Sequence, residues 1–221
     1  MSFPLSLRRL TAGIALVFLT FLAWPAAAAT ILVFGDSLSA GYGLPPKSGW
    51  PYLLQRKLDA LEPGVHRVID ASASGETTDG GIRRLPPLLA RHHPDVVVLE
   101  LGANDGLNGL PPKVMESNLE RMILMAREAG CEVVLVGMKL PPNLGPEYTA
   151  EFEAVYPRLA ARHPVHFVPF LLEAIALDPD AFQEDGLHPT LETVPKLVDT
   201  VWPAIASALE AVRKRSAASG R

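Results

Sequence analysis

Short, continuously apolar runs alternate along this chain with longer stretches whose apolar residues recur at helical spacing. The runs are ILVF (31–34), VHRVID (65–70, the weakest), VVVLEL (96–101), EVVLVGM (132–138) and VHFVPF (165–170). Between and after them lie helical stretches at 50–61, 77–90, 112–129, 146–161 and 191–213. Strands without polar alternation are buried on both faces, and strands separated by helices pair in parallel. The pattern therefore predicts a three-layer α/β/α sandwich around a five-stranded parallel sheet; if that sheet takes the flavodoxin-like order 2-1-3-4-5, its first strand lies between the second and third.

Breakers refine this reading. Leu-Pro-Pro occurs at 44, 85, 110 and 140 without a fixed period, so it punctuates the chain and is not a repeat. Pro111-Pro112 suits a helix start, whereas Pro86-Pro87 is expected to break or restart the helix beginning near Thr77. KLPPNLGPEYT (139–149) reads as a long loop, and His92-His93 as the end of a helix before Pro94.

The first 29 residues do not fit the sandwich. Arg8 and Arg9, an apolar run from Thr11 to Trp24 and the small residues Ala26 to Ala29 form the three parts of a secretory signal, with cleavage expected after Ala29. A single domain is then expected over 30–214, followed by a small, polar tail at 215–221 expected to be disordered. The leader holds two of the chain's 20 basic residues and none of its 24 acids, so the mature balance is more acidic than −4 and gives no support to a nucleic-acid partner. The sole cysteine, Cys131, cannot form an internal disulfide and reads as a packed thiol.

In open α/β sheets, ligands bind beyond the carboxyl ends of the strands. The loops there contain GDS (35–37), ASASGETTDGG (71–81), GANDGLNG (102–109) and EDGLHPT (184–190). A serine hydroxyl needs a base to become a nucleophile, and an imidazole needs an acidic partner to fix its tautomer. Ser37, His188 and Asp185 supply these types, with Asp185 three residues before His188. An oxyanion formed by attack on a carbonyl needs fixed donors, for which the N–H groups of Ser37 and Gly75 and the Asn104 amide are candidates. Each signal alone is weak, since Asn104 or Asp36 would equally suit a turn. Neither a His-x-x-x-His pair nor a cysteine cluster is present, and no metal or other cofactor is expected.

Taken together, FGDSLSAGYG, SASGETTDGG, LGANDGLNG and DGLHP resemble, in order and spacing, the four blocks of the SGNH (GDSL-type) hydrolases. The likeness is to the exported bacterial branch of arylesterases, acyl-CoA thioesterases and lysophospholipases. It implies a flavodoxin-like fold and hydrolysis of carboxylic esters and thioesters through an acyl-enzyme. It also implies Ser37, Asp185 and His188 as the catalytic triad, and Ser37, Gly75 and Asn104 as the oxyanion hole. DGLNGLP is similar to a loop that moves on acyl-chain binding, and KLPPNLGPEY to another wall of the acyl site, which makes Asp105, Gly106, Leu107, Leu140 and Pro141 substrate-binding candidates. Small acyl esters or thioesters and lysophospholipids are the implied partners, with no stable membrane insertion of the mature chain and a monomeric, periplasmic or secreted state. The G-x-S-x-G elbow of α/β-hydrolases is missing, because Ser39 stands where it needs glycine. Many relatives carry glycine at the position of Ala103 and asparagine at that of Thr190. A carbohydrate acetylesterase and a non-catalytic flavodoxin-like binding module are the competing readings.

Overall fold

The computed structural model describes residues 28–220. Five parallel strands, β1 (Thr30–Gly35), β2 (Arg67–Asp70), β3 (Val96–Glu100), β4 (Glu132–Val136) and β5 (His166–Val168), form one sheet in the order 2-1-3-4-5. Their cores carry the apolar runs: Ile31 to Phe34, Val96 to Leu99 and Val133 to Val136 are essentially inaccessible. The two edge strands are short and partly exposed, which is why VHRVID is the weakest of the five signals.

Among the described residues, seven α-helices surround the sheet: α1 (Ser37–Ala40), α2 (Trp50–Leu61), α3 (Thr78–His92), α4 (Ala103–Leu107), α5 (Pro112–Glu128), α6 (Pro146–Arg162) and α7 (Val194–Ala218). The pair α2 and α7 covers one face, and the row α3, α5 and α6 covers the other. The short α1 and α4 sit directly on the carboxyl ends of β1 and β3, and thereby open the loops where a ligand is expected. His93 ends α3 in the left-handed conformation, as the His92-His93-Pro94 signal implies.

Two expectations fail locally. The helix α3 runs without a break through Pro86 and Pro87. Both prolines lie on the exposed face, and the buried Leu85 and Leu89 beside them keep the helix on the core, so the carbonyls of Ile82 and Arg83 lose helical donors at a tolerable cost. At the other end of the chain, α7 continues to Ala218, well into the tail expected to be disordered. There Arg215 donates to Glu132, and Lys214 pairs with Glu210 one turn back, which ties the helix end to β4 and supports its last turns. The signal segment lies outside the described residues except for Ala28 and Ala29. Ala29 is buried, and its carbonyl accepts from the Arg67 N–H at 3.0 Å, so the residue just before the expected cleavage point packs onto β2.

Candidate active site

The end of β1 turns sharply into α1. Asp36 caps this helix, its carboxylate accepting the Leu38 N–H at 3.0 Å, and Ser37 is the first helical residue. Across the site, Phe182 and Pro189 bridge the two arms of a loop that carries Asp185 and His188 at its tip. Gly186 takes φ 67°, a left-handed conformation that folds the loop back on itself and brings His188 beside Asp185. Gln183 ties this loop to the turn after α1 by donating to the Tyr42 carbonyl at 2.9 Å, and it joins the loop's own arms by donating to the Pro189 carbonyl at 3.0 Å.

The result is a continuous line of three side chains. Ser37 Oγ lies 2.7 Å from His188 Nε2, and His188 Nδ1 lies 2.7 Å from Asp185 Oδ2. The other oxygen of Asp185 accepts the N–H groups of Leu187 and His188, each at 2.9 Å. Partial burial alone would raise the Asp185 acid range, but these backbone donors and the imidazole outweigh it and hold the group down at about 2. An Asp185 carboxylate that stays ionised near neutral pH beside Nδ1 favours the tautomer with its proton there, leaving Nε2 free to accept from the serine. The Tyr42 ring packs against the imidazole with centroids 4.6 Å apart, restricting its rotation.

Facing Ser37, the loops after β2 and β3 come together. The Ala73 N–H donates to the Gly35 carbonyl at 3.0 Å, which ties the loop after β2 to the end of β1. Gly75 in this loop has φ 77°, and a Cβ built there meets nothing within 4 Å, so glycine is needed for backbone conformation and not for space. The Asn104 amide donates to Glu76 O at 2.9 Å and to Asp36 Oδ2 at 3.2 Å, linking all three strand ends. Among the described residues, the N–H groups of Ser37 and Gly75 have no protein acceptor.

Beside this cluster opens a groove of about 420 Å³, a size suited to a small-molecule ligand. Leu107, Leu140 and Pro141 line it. Asp105 and Gly106 do not. Asp105 is buried and its carboxylate accepts from the N–H and hydroxyl of Thr78, while Gly106 packs under Leu140 and Phe152. Both hold α4 in place instead of facing the groove, because the helical turn at 103–107 directs only some of its side chains outward. The opposite wall comes from Phe170, at the end of the VHFVPF run, and from Leu172, Ala176 and Phe182, in a loop region whose irregular spacing carries no sequence signal. Tyr42 and Gln183 are likewise invisible in sequence, since each acts through partners more than 100 residues away.

Cys131 is buried, its Sγ 3.0 Å from the Pro94 carbonyl, and burial pushes its thiol up to about 11, far from a reactive thiolate. Among the described residues, no group of three or more His, Cys, Asp or Glu is placed to hold a metal ion.

A flavodoxin-like sheet that carries an aligned hydroxyl, imidazole and carboxylate on the loops at its carboxyl edge, without the G-x-S-x-G sequence around the serine, defines an SGNH-type hydrolase. Residues 33–193 match the GDSL-like Lipase/Acylhydrolase family. The chain belongs to that family, and it is an acyl-ester hydrolase. It is 46% identical over 196 residues to Esterase TesA of Pseudomonas aeruginosa, a match covering 89% of this chain and 96% of that protein. It is 42% identical over 184 residues to the thioesterase 1/protease 1/lysophospholipase L1 of Escherichia coli, covering 83% and 86% respectively. The crystal structure of the psychrotrophic esterase EstA from Pseudoalteromonas sp., inhibited by monoethylphosphonate, superposes with a TM-score of 0.78 at 39% identity and covers 82% of this chain and 99% of that one.

Proposed function

We propose that this enzyme hydrolyses carboxylic esters and thioesters of medium to long acyl chains through a covalent intermediate on Ser37. The observation that carries this reading is the unbroken line from Ser37 Oγ through His188 to Asp185, with both contacts at 2.7 Å. His188 Nε2 accepts the serine proton as Oγ attacks the acyl carbonyl carbon, and Asp185 stabilises the resulting imidazolium. The carbonyl electrons move onto oxygen, where the N–H groups of Ser37 and Gly75 and the amide of Asn104 supply donors. Collapse of the tetrahedral intermediate expels the alcohol or thiol, which takes its proton from His188. Water, deprotonated by the same imidazole, then attacks the acyl-enzyme and releases the acid.

The groove supports the chain-length part of the proposal. Its apolar walls, from Leu107, Leu140, Phe170 and Leu172, suit an aliphatic tail better than a sugar acetate, which would need polar partners for the carbohydrate. The relatives named as an esterase and as a thioesterase and lysophospholipase support the ester and thioester classes, with lysophospholipids within the range. The signal pattern of residues 1–29 supports export, and no described helix is long and apolar enough to cross a membrane.

A fluorophosphonate probe and a panel of p-nitrophenyl esters from acetate to palmitate, with one acyl thioester, test this reading. Wild-type protein should be labelled and should favour chains longer than acetate, while Ser37→Ala should lose labelling and at least about 10³-fold in kcat with its fold intact. Retention of more than a few per cent of activity by Ser37→Ala would remove the serine from the mechanism. Sequencing the N-terminus of the exported protein tests the leader, with a start near Thr30 as the expected result.

A further inference from the structure

Directly beneath the nucleophile turn lies an acid that the reaction does not use. Glu100 ends β3 beside Gly35 of β1, and it is completely inaccessible. Its Oε2 accepts from the Ser39 hydroxyl at 2.7 Å and from the Asp36 N–H at 3.3 Å. Ser39 Oγ in turn accepts the indole N–H of Trp50 at 3.2 Å. Glu100 therefore grips the residue immediately before Ser37 and the residue two positions after it. The fit is tight enough to require glycine at 35, where a Cβ would stand 2.5 Å from Glu100 Oε2.

The surroundings of Glu100 disfavour a charge. Its Oε1 has no hydrogen-bond partner, and no cation pairs with it among the described residues. The titratable groups that face it are Asp36 from the β1–α1 turn, Asp70 from the end of β2 and Tyr156 from α6, whose hydroxyl donates to the Leu101 carbonyl at 3.1 Å. An unpaired carboxylate buried against a second carboxyl group carries a large desolvation cost, which a neutral acid avoids. Complete burial first, and the nearby Asp36 second, hold Glu100 well above the usual carboxylate range.

We propose that Glu100 is a positioning residue: it holds the turn from Asp36 to Ser39 so that Ser37 Oγ faces His188 Nε2. The proposal rests on Ser37 being the nucleophile. Misplacing a reacting atom by about 1 Å can cost about 100-fold in rate, so a grip on both sides of the serine matters to turnover as well as to folding.

The test compares Glu100→Gln and Glu100→Ala in the full chain, reading kcat and KM on p-nitrophenyl butyrate, the rate of fluorophosphonate labelling, and melting temperature. Gln reproduces the acceptor toward Ser39 and Asp36 and places a neutral group where Oε1 stands. It should keep kcat within about threefold, whereas Ala should lower both kcat and labelling rate by about 10- to 100-fold per folded molecule with KM little changed. Normal kcat and labelling in folded Glu100→Ala would reduce Glu100 to a structural residue and overturn the proposal, as would Glu100→Gln being as impaired as Glu100→Ala. If Glu100→Ala does not fold, Glu100→Gln and Ser39→Ala decide: near-normal turnover in the first with a several-fold fall in kcat in the second supports the grip, and any other combination overturns it. Failure of the nucleophile assignment itself would show separately, as activity retained in Ser37→Ala.

Discussion

Asn104 donates its side-chain amide to Asp36 Oδ2, so the end of β3 is tied to the cap of the helix that begins with Ser37. The same nitrogen also donates to Glu76 O, so both of its hydrogens are engaged before any substrate enters. In the proposed mechanism the developing oxyanion draws one of them away, and the longer contact, 3.2 Å to Asp36, is the weaker to lose. An amide held between two acceptors is also preorganised, because it has little rotation left to give up when charge appears.

Asn104→Ala should lower kcat by about 10²- to 10³-fold, roughly 3 to 4 kcal/mol, while KM changes little. It should also lower the melting temperature modestly, since two contacts between strand ends are lost together. Steady-state kinetics and a thermal melt on one preparation separate the effects. A lowered melting temperature with near-normal kcat would make Asn104 a structural link alone.

Asp36 should make the folded state less stable as pH rises from about 4 to 7. Burial first, opposed in part by the Leu38 N–H and by His188, pushes its acid range from 3.8 up to about 6. Between those values the folded protein holds a proton that the unfolded chain has released, so the stabilisation is fully present below about pH 4 and is lost as pH rises through 6. The difference corresponds to about 3 kcal/mol. Unfolding free energies measured in urea at pH 4 and pH 7 should show Asp36→Asn gaining on the wild type by about that amount, and a gap independent of pH would contradict the raised value. Asp185 runs the other way: held at about 2, it adds stability above about pH 4 that is lost on further acidification.

Ala176→Phe should shorten the preferred acyl chain. Ala176 lies on the groove wall formed by the region before the His188 loop, and an added ring there removes space without touching Ser37 or Asn104. Turnover of a palmitoyl ester should fall by roughly tenfold in kcat/KM relative to acetate, the scale set by misfit in an apolar pocket. An unchanged chain-length profile would mean that acyl tails follow another path.

Replacing both Pro86 and Pro87 by alanine should stabilise the protein. Each proline lacks the N–H that would reach Ile82 or Arg83 across one turn of α3, and both lie on the exposed face. Restoring those bonds should add about 1 to 3 kcal/mol, after allowing for the lost rigidity of proline in the unfolded chain. Chemical denaturation measures the change, and activity should be unaffected.

The sequence by itself determined the layers and the chemistry on offer. Continuous apolar runs such as ILVF and VVVLEL, short and separated by helical stretches, read as strands buried on both faces, and the small-residue blocks that follow the first three of them put Ser37, Gly75 and Asn104 at strand ends, whereas His188 lies on a loop well beyond β5. Tertiary structure alone decided which of these groups meet, since Ser37 and His188 are separated by 151 residues and only the sheet order brings them within 2.7 Å. It also decided the fate of polar residues whose neighbours in sequence say nothing of their burial. Asp105 turned inward to Thr78 although it sits in a loop block, and Glu100 at the end of an apolar strand became a buried clamp because Ser39 and the Asp36 N–H face it across β1. The helix through Pro86 and Pro87 has the same origin: local propensity favours a break, but the burial of Leu85 and Leu89 against the core outweighs it.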